Sequence, residues 1–190
     1  MKSVHIFVIF IVIAGLQLFV PVKMILGKED ILNTGKLYKF RTRPIDPNDP
    51  FRGKYIALNY DLDEFKTTDS TWKRGEKVLV YFLNDSNGYA KVHAISREEQ
   101  YSDLDYITAK VNWYNKRNEM LHFDLDFDRY YMDEYKAKTA EEFYIKNNQR
   151  NDSINTTYAL VAVKDGEAVL KDVLINEESI KEFVDNMIKE

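Results

Sequence analysis

Cysteine is absent from the 190 residues. That excludes a thiol nucleophile, a disulfide framework and cysteine-ligated zinc. It suits a reducing cytosol or an envelope domain that folds without disulfides. Basic residues are not in excess: the formal net charge is −4. With no basic stripe carrying interleaved aromatics, nucleic acid is not an expected partner. Glycine (7) and proline (4) are scarce, and three of the four prolines, Pro44, Pro47 and Pro50, crowd into one heptad. Only three histidines occur, and His5, His93 and His122 are too scattered to form a metal or acid–base motif. Gly-x-Ser-x-Gly, a phosphate-cradling glycine loop and His-Glu-x-x-His are all missing. No cofactor is expected.

What the chain has is one long apolar run and many aromatics. Val4 to Val22 carries no formal charge with His5 neutral. Nineteen helical residues span about 28 Å, close to a bilayer core of roughly 30 Å. A cleaved signal peptide needs a shorter apolar core and small residues at the cut. Val12-Ile13-Ala14 offers a weak site, but Leu16–Val22 continues the run past it. An uncleaved signal-anchor over 1–23 is the preferred reading. Residues 24–36 read as a polar linker, with Gly27 and Gly35 against helix. Flanking lysines do not favour the N-terminus inside, because more follow the run than precede it.

The remainder, 37–190, is long enough for one domain with its own core. Thirteen tyrosines and eleven phenylalanines favour strands. Alternation predicts strands over Leu37–Thr42, Lys54–Leu62 (core face Ile56, Leu58, Tyr60, Leu62), Glu76–Leu83, Tyr89–Ile95, Tyr106–Trp113, Met120–Asp128, Tyr158–Val163 and Ala168–Ile175. Asn84–Gly88, Asn115–Asn118 and Asp165-Gly166 read as hairpin turns. Helical spacing predicts helices over Lys136–Ile145 and Glu177–Lys189, the second capped by Asn176. The expected fold is mainly β (α+β): one N-terminal transmembrane helix, then a small antiparallel β-barrel or sandwich with two short helices. Connections are too short for parallel βαβ units.

The densest chemistry lies at Arg43-Pro-Ile-Asp46-Pro-Asn-Asp49-Pro-Phe-Arg52-Gly53-Lys-Tyr55-Ile-Ala-Leu58-Asn-Tyr60. Prolines stiffen the approach to a strand. The pattern Gly53-x-Tyr55-x-x-Leu58-x-Tyr60, after Pro-x-Asp-Pro and Phe51-Arg52, resembles the signature of the bacterial GDYXXLXY family, which is named for its motif rather than for an activity. Arg129-Tyr-Tyr-Met-Asp-Glu134 resembles a second stretch of that family. Lys54 stands where the family pattern has aspartate, so one charge is reversed and an acid at that position is not available as a ligand or base. The resemblance implies one membrane segment and a strand-rich domain outside the cytoplasm, periplasmic or extracellular. It also implies a multi-span membrane protein as neighbour in the cell envelope.

On these grounds the candidate binding rim is Asp46, Asp49, Arg52, Gly53, Tyr55, Leu58, Tyr60, Arg129 and Glu134. Arg52 would clamp a carboxylate or phosphate-like group, and tyrosines would add flat contacts. The alternative is a structural turn, with Asp side chains bonding backbone amides. His122, Asp124, Asp126 and Asp128 share one face of an ideal strand and could meet a hard cation such as Ca²⁺. Their spacing is too wide for one ion without other segments, and a solvated edge face explains them as well. The preferred function is a non-enzymatic binding or accessory subunit of a membrane complex. The alternative is a cation-dependent or hydrolase-like enzyme using the acidic and arginine rim. Gly53 sits between a stiff turn and a strand. Gly53→Val is therefore expected to lower stability by about 1–3 kcal/mol, read from chemical denaturation curves.

Overall fold

A computed structural model describes residues 3–43, 55–133, 136, 139–140, 142–144 and 156–189. The chain opens with an α-helix over Ser3–Thr34. It is predominantly apolar through Leu26, and its large apolar side chains from Val4 to Leu26 are exposed. It is long and apolar enough to cross a membrane. The helix does not stop at a linker. It runs through Pro21, Lys23 and Gly27 to Thr34, because its last turns dock on the domain, where Ile31 is buried. A single glycine costs a helix only about 1 kcal/mol, which tertiary contact overrides.

Twelve strands follow among the described residues. One five-stranded sheet has β12 (Glu178–Ser179), β11 (Glu167–Ile175), β10 (Thr157–Lys164), β1 (Lys36–Arg43) and β3 (Asn59–Tyr60), in that order. The other has β4 (Glu64–Lys66), β8 (Met120–Asp124), β7 (Tyr106–Asn115), β5 (Lys77–Asn84) and β6 (Ala90–Ser96). A ribbon pairs β2 (Tyr55–Ala57) with β9 (Arg129–Tyr131). All strand ladders are antiparallel. Isolated bridges Lys39–Tyr89 and Ile107–Gly166 join the two large sheets, so the whole curls into a nearly closed barrel. Register shifts at Leu160/Val161, Tyr81/Phe82 and Val111/Trp113 supply the curvature.

The core forms from the inward residues of both sheets. Ile56, Leu58, Tyr60 and Leu62 lie inside as the alternation predicts. Trp113 does not follow Ile107, Ala109 and Val111 inward; the shift after Val111 leaves it half exposed. The expected strand over 54–62 divides into β2 and β3, which pair with different partners. The expected strand over Met120–Asp128 ends at Asp124, turns, and resumes as β9.

Asn176 is not a helix cap. Asn176 (φ 53°) and Glu177 (φ 68°) form the two-residue loop of a β11–β12 hairpin, as Asp165 and Gly166 do between β10 and β11. Two successive positive φ values match the strand twist in such loops. The C-terminal helix therefore begins later and covers Ile180–Lys189, with Ile180 and Val184 buried. Phe183 stacks on Phe143 at 3.7 Å, and helical residues at 136, 139–140 and 142–144 bury Ala140 and Tyr144.

Phe40 on β1 is fully buried, with Tyr60, Phe82 and Phe127 at ring distances of 6.2, 5.5 and 5.4 Å. Phe40→Ala is expected to cost about 3–5 kcal/mol in a urea titration of the intact protein.

Candidate functional site

The motif residues part company at β2 and β3. Leu58 lies between the two strands, 2 % exposed, and its amide donates to the Asp128 carbonyl at 2.8 Å. Tyr60, also 2 % exposed, donates its hydroxyl to the Phe127 carbonyl at 2.8 Å. Burial pushes its phenol well above the ordinary tyrosine value, so it is a fixed donor. Leu58 and Tyr60 thus point into the core and tie the motif to the turn before β9. They do not stand on an open rim.

Tyr55 faces the other way. In the β2–β9 ribbon it pairs with Tyr131, and Ala57 pairs with Arg129. The Tyr55 and Tyr131 rings lie 5.5 Å apart, and the Arg129 guanidinium sits 5.1 Å from the Tyr55 ring centre. Tyr131 is 62 % exposed. Asp128 lies 3.7 Å from Arg129, and the Tyr131 hydroxyl followed by the Asp128 charge holds the guanidinium yet more firmly protonated. Asp46, Asp49, Arg52, Gly53 and Glu134 lie outside the described residues. Of the nine rim residues, the structure brings Tyr55 and Arg129 together at the surface.

Between them, Tyr130 turns inward, and its hydroxyl donates to Asp172 at 2.6 Å. The same Asp172 oxygen accepts the Val173 amide at 2.8 Å. Lys181 lies 5.0 Å from the Tyr130 ring. The ribbon is thereby fastened to β11 and to the C-terminal helix.

Beside the motif is a small cleft of about 120 Å³ lined by Leu58, Asn59, Tyr60, Asp63, Phe123, Asp124, Leu125 and Asp128. Asp63, which contacts the Arg43 guanidinium, is the half-buried acid here; burial raises its carboxyl pKa although Arg43 opposes the shift. His122 does not join a cation site. Its ring stacks on Trp113 at 4.1 Å, and Nδ1 lies 3.5 Å from Glu64. Asp124 accepts from the Asn112 amide at 2.9 Å, and Asp126 and Asp128 leave the strand face because β8 has ended. Among the described residues, no group of three His, Cys, Asp or Glu side chains could hold a metal ion.

Sequence reasoning missed the Arg43–Asp63 contact, whose partners are twenty residues apart. It also missed Arg97, which lies 3.7 Å over the Trp72 ring and binds Asp69 and Glu76, each at 2.7 Å. Local hydrogen bonds from Thr71, then Arg97, pull Asp69 down to about 2. No periodic signal marks either cluster.

An exposed apolar helix thus leads into a barrel-like β domain that carries an aromatic–guanidinium ribbon. The chain belongs to the GDYXXLXY family, whose sequence model matches residues 17–173. No curated protein and no solved structure matches it.

Alkaline titration tests the ribbon's attachment. Burial, and then Asp172, raise the Tyr130 phenol, and burial raises Tyr60. Unfolded tyrosines ionise near pH 10, whereas these hold their protons to higher pH in the fold. The stability they contribute is complete below about pH 10 and is lost as pH rises through their folded values. The urea midpoint should fall above about pH 10. Tyr130→Phe should cost about 1–3 kcal/mol at neutral pH and make that fall shallower.

Proposed function

We propose that this GDYXXLXY protein is a single-pass, membrane-anchored protein of the cell envelope. Its β domain, residues 37–190, lies outside the cytoplasm. It acts there as a non-enzymatic binding or accessory subunit of a membrane complex. The observation that carries the reading is the N-terminal helix: its apolar side chains from Val4 to Leu26 are exposed, which water does not favour over that length. Large domains translocate largely regardless of flanking charge, so the lysines after the helix do not oppose this orientation.

The recognition surface is the Tyr55–Arg129–Tyr131 patch. Rigid aromatic rings and an arginine are the side chains most often found at interface hot spots. The ribbon is held from below by Tyr130, so its outer face is pre-organised. The full-length protein should remain in the membrane fraction after carbonate washing. Arg129→Ala should leave the melting temperature within about 2 °C, since an exposed pair contributes under about 1 kcal/mol, and should remove at least one co-purifying protein. A variant that keeps every companion would exclude the patch as the recognition surface.

A further inference from the structure

The junction between helix and barrel fixes where each end of the domain lies. At the helix end, the Gly35 amide donates to the Ile31 carbonyl at 2.8 Å. A Cβ on Gly35 would lie 2.4 Å from that oxygen and 3.1 Å from the Val163 carbonyl, so only glycine lets the helix close onto β10. Lys164, also on β10, donates to Asp30 at 2.6 Å and Thr34 at 2.8 Å. Glu167, just past the β10–β11 turn, accepts from Lys28 at 2.9 Å. Contacts therefore pass in order from Gly35 with Val163, to Asp30 with Lys164, to Lys28 with Glu167. The hairpin tip runs back along the helix toward its N-terminus.

Lys28 lies two residues beyond Leu26, the last of the helix's exposed large apolar side chains, and six beyond Val22. At 1.5 Å per residue, the hairpin tip stands about 3–9 Å above the apolar boundary. The headgroup layer of one leaflet is roughly 5–8 Å deep. Strands β1 and β7 start near this end, at Lys36 and at Tyr106 beside Gly166, and run away from it. The seven steps of strand from Tyr106 to Trp113 cover about 23 Å.

We infer that the helix and the β10–β11 hairpin form one rigid clamp that seats the hairpin tip in the lipid headgroup layer. The same clamp holds the far ends of the strands, with the Tyr55–Arg129–Tyr131 patch, roughly 20 Å from the bilayer. The patch then meets an extramembrane part of its partner. The inference rests on the anchored reading above.

Because the chain has no cysteine, single reporters are unambiguous. Asp165→Cys at the hairpin tip and Trp113→Cys, in otherwise intact full-length protein, carry an environment-sensitive fluorophore. Both are reconstituted in phosphatidylcholine/phosphatidylglycerol vesicles containing a lipid with a nitroxide on its headgroup. Strong quenching at 165 and little at 113 is expected, with both proteins floating alongside the vesicles. Asp30→Ala/Ile31→Ser, which removes the clamp but leaves the span, should erase most of the difference between the two positions. Floating proteins quenched equally at both positions would overturn the fixed orientation and leave the anchor standing. A difference that survives Asp30→Ala/Ile31→Ser would overturn the clamp. Protein that does not float would overturn the anchor, and the orientation with it.

Discussion

The packing of Phe40 is the contact on which the rest depends. Its ring lies on β1, the strand that follows directly from the N-terminal helix, and meets Phe82 of the second sheet, Tyr60 of the motif and Phe127 of the turn before β9. Edge-to-face contacts of this kind add to the burial of large apolar surfaces. Tyr38, two residues earlier, repeats the link to Phe82 at 4.7 Å. One strand thereby couples the helix, both sheets and the motif. The two sheets are joined by isolated bridges rather than by a ladder, so aromatic packing more than backbone pairing holds the barrel together.

That dependence explains how the motif is used. Leu58 and Tyr60 fill the aromatic core and bond the backbone around Phe127 and Asp128, so their conformation is dictated from inside. Tyr55 lies outside because strand alternation places it opposite Ile56, which is fully buried. The ribbon shows the same division, with Tyr130 inward and Arg129 and Tyr131 outward. Two inward anchors thus hold three outward side chains at a set spacing.

The sequence shows those features that repeat with a short period or sit in a two-residue turn. The apolar helix, the paired runs around Asn84–Gly88 and Asp165-Gly166, and the core face Ile56, Leu58, Tyr60 and Leu62 were legible on that ground. Failures came where a distant partner overrode the local pattern. Gly27 did not end the helix, because Ile31 and Lys28 dock on the domain. Asn176, a good cap by type, was taken by a hairpin, since asparagine also tolerates positive φ. The aspartates after Phe123 read as one face only if the strand continues, and it turns at Asp126. Tyr55 and Arg129 were singled out separately; their adjacency follows from a pairing across seventy-odd residues that no local pattern encodes.

Charge follows the same architecture. Lys28, Lys36 and Lys164 gather where the helix enters the barrel, and each has an acidic partner: Glu167, Asp105 and Asp30. Exposed pairs of this kind contribute little stability individually. Their effect here is geometric, because they close around a glycine contact and a buried isoleucine that already fix the helix against β10. In the proposed anchor, Lys23 between Val22 and Met24 can extend its ammonium group toward the headgroups. Arg129, at the other end, shares its charge with exposed rings and one carboxylate, and more than half of its side chain remains open to solvent. Cations at the junction are therefore engaged in ion pairs between helix and barrel or beside the junction, while the guanidinium of the ribbon stays half open to solvent. In the proposed orientation such a mount would present the patch without a flexible stalk, and its rigidity would lower the entropy lost on binding.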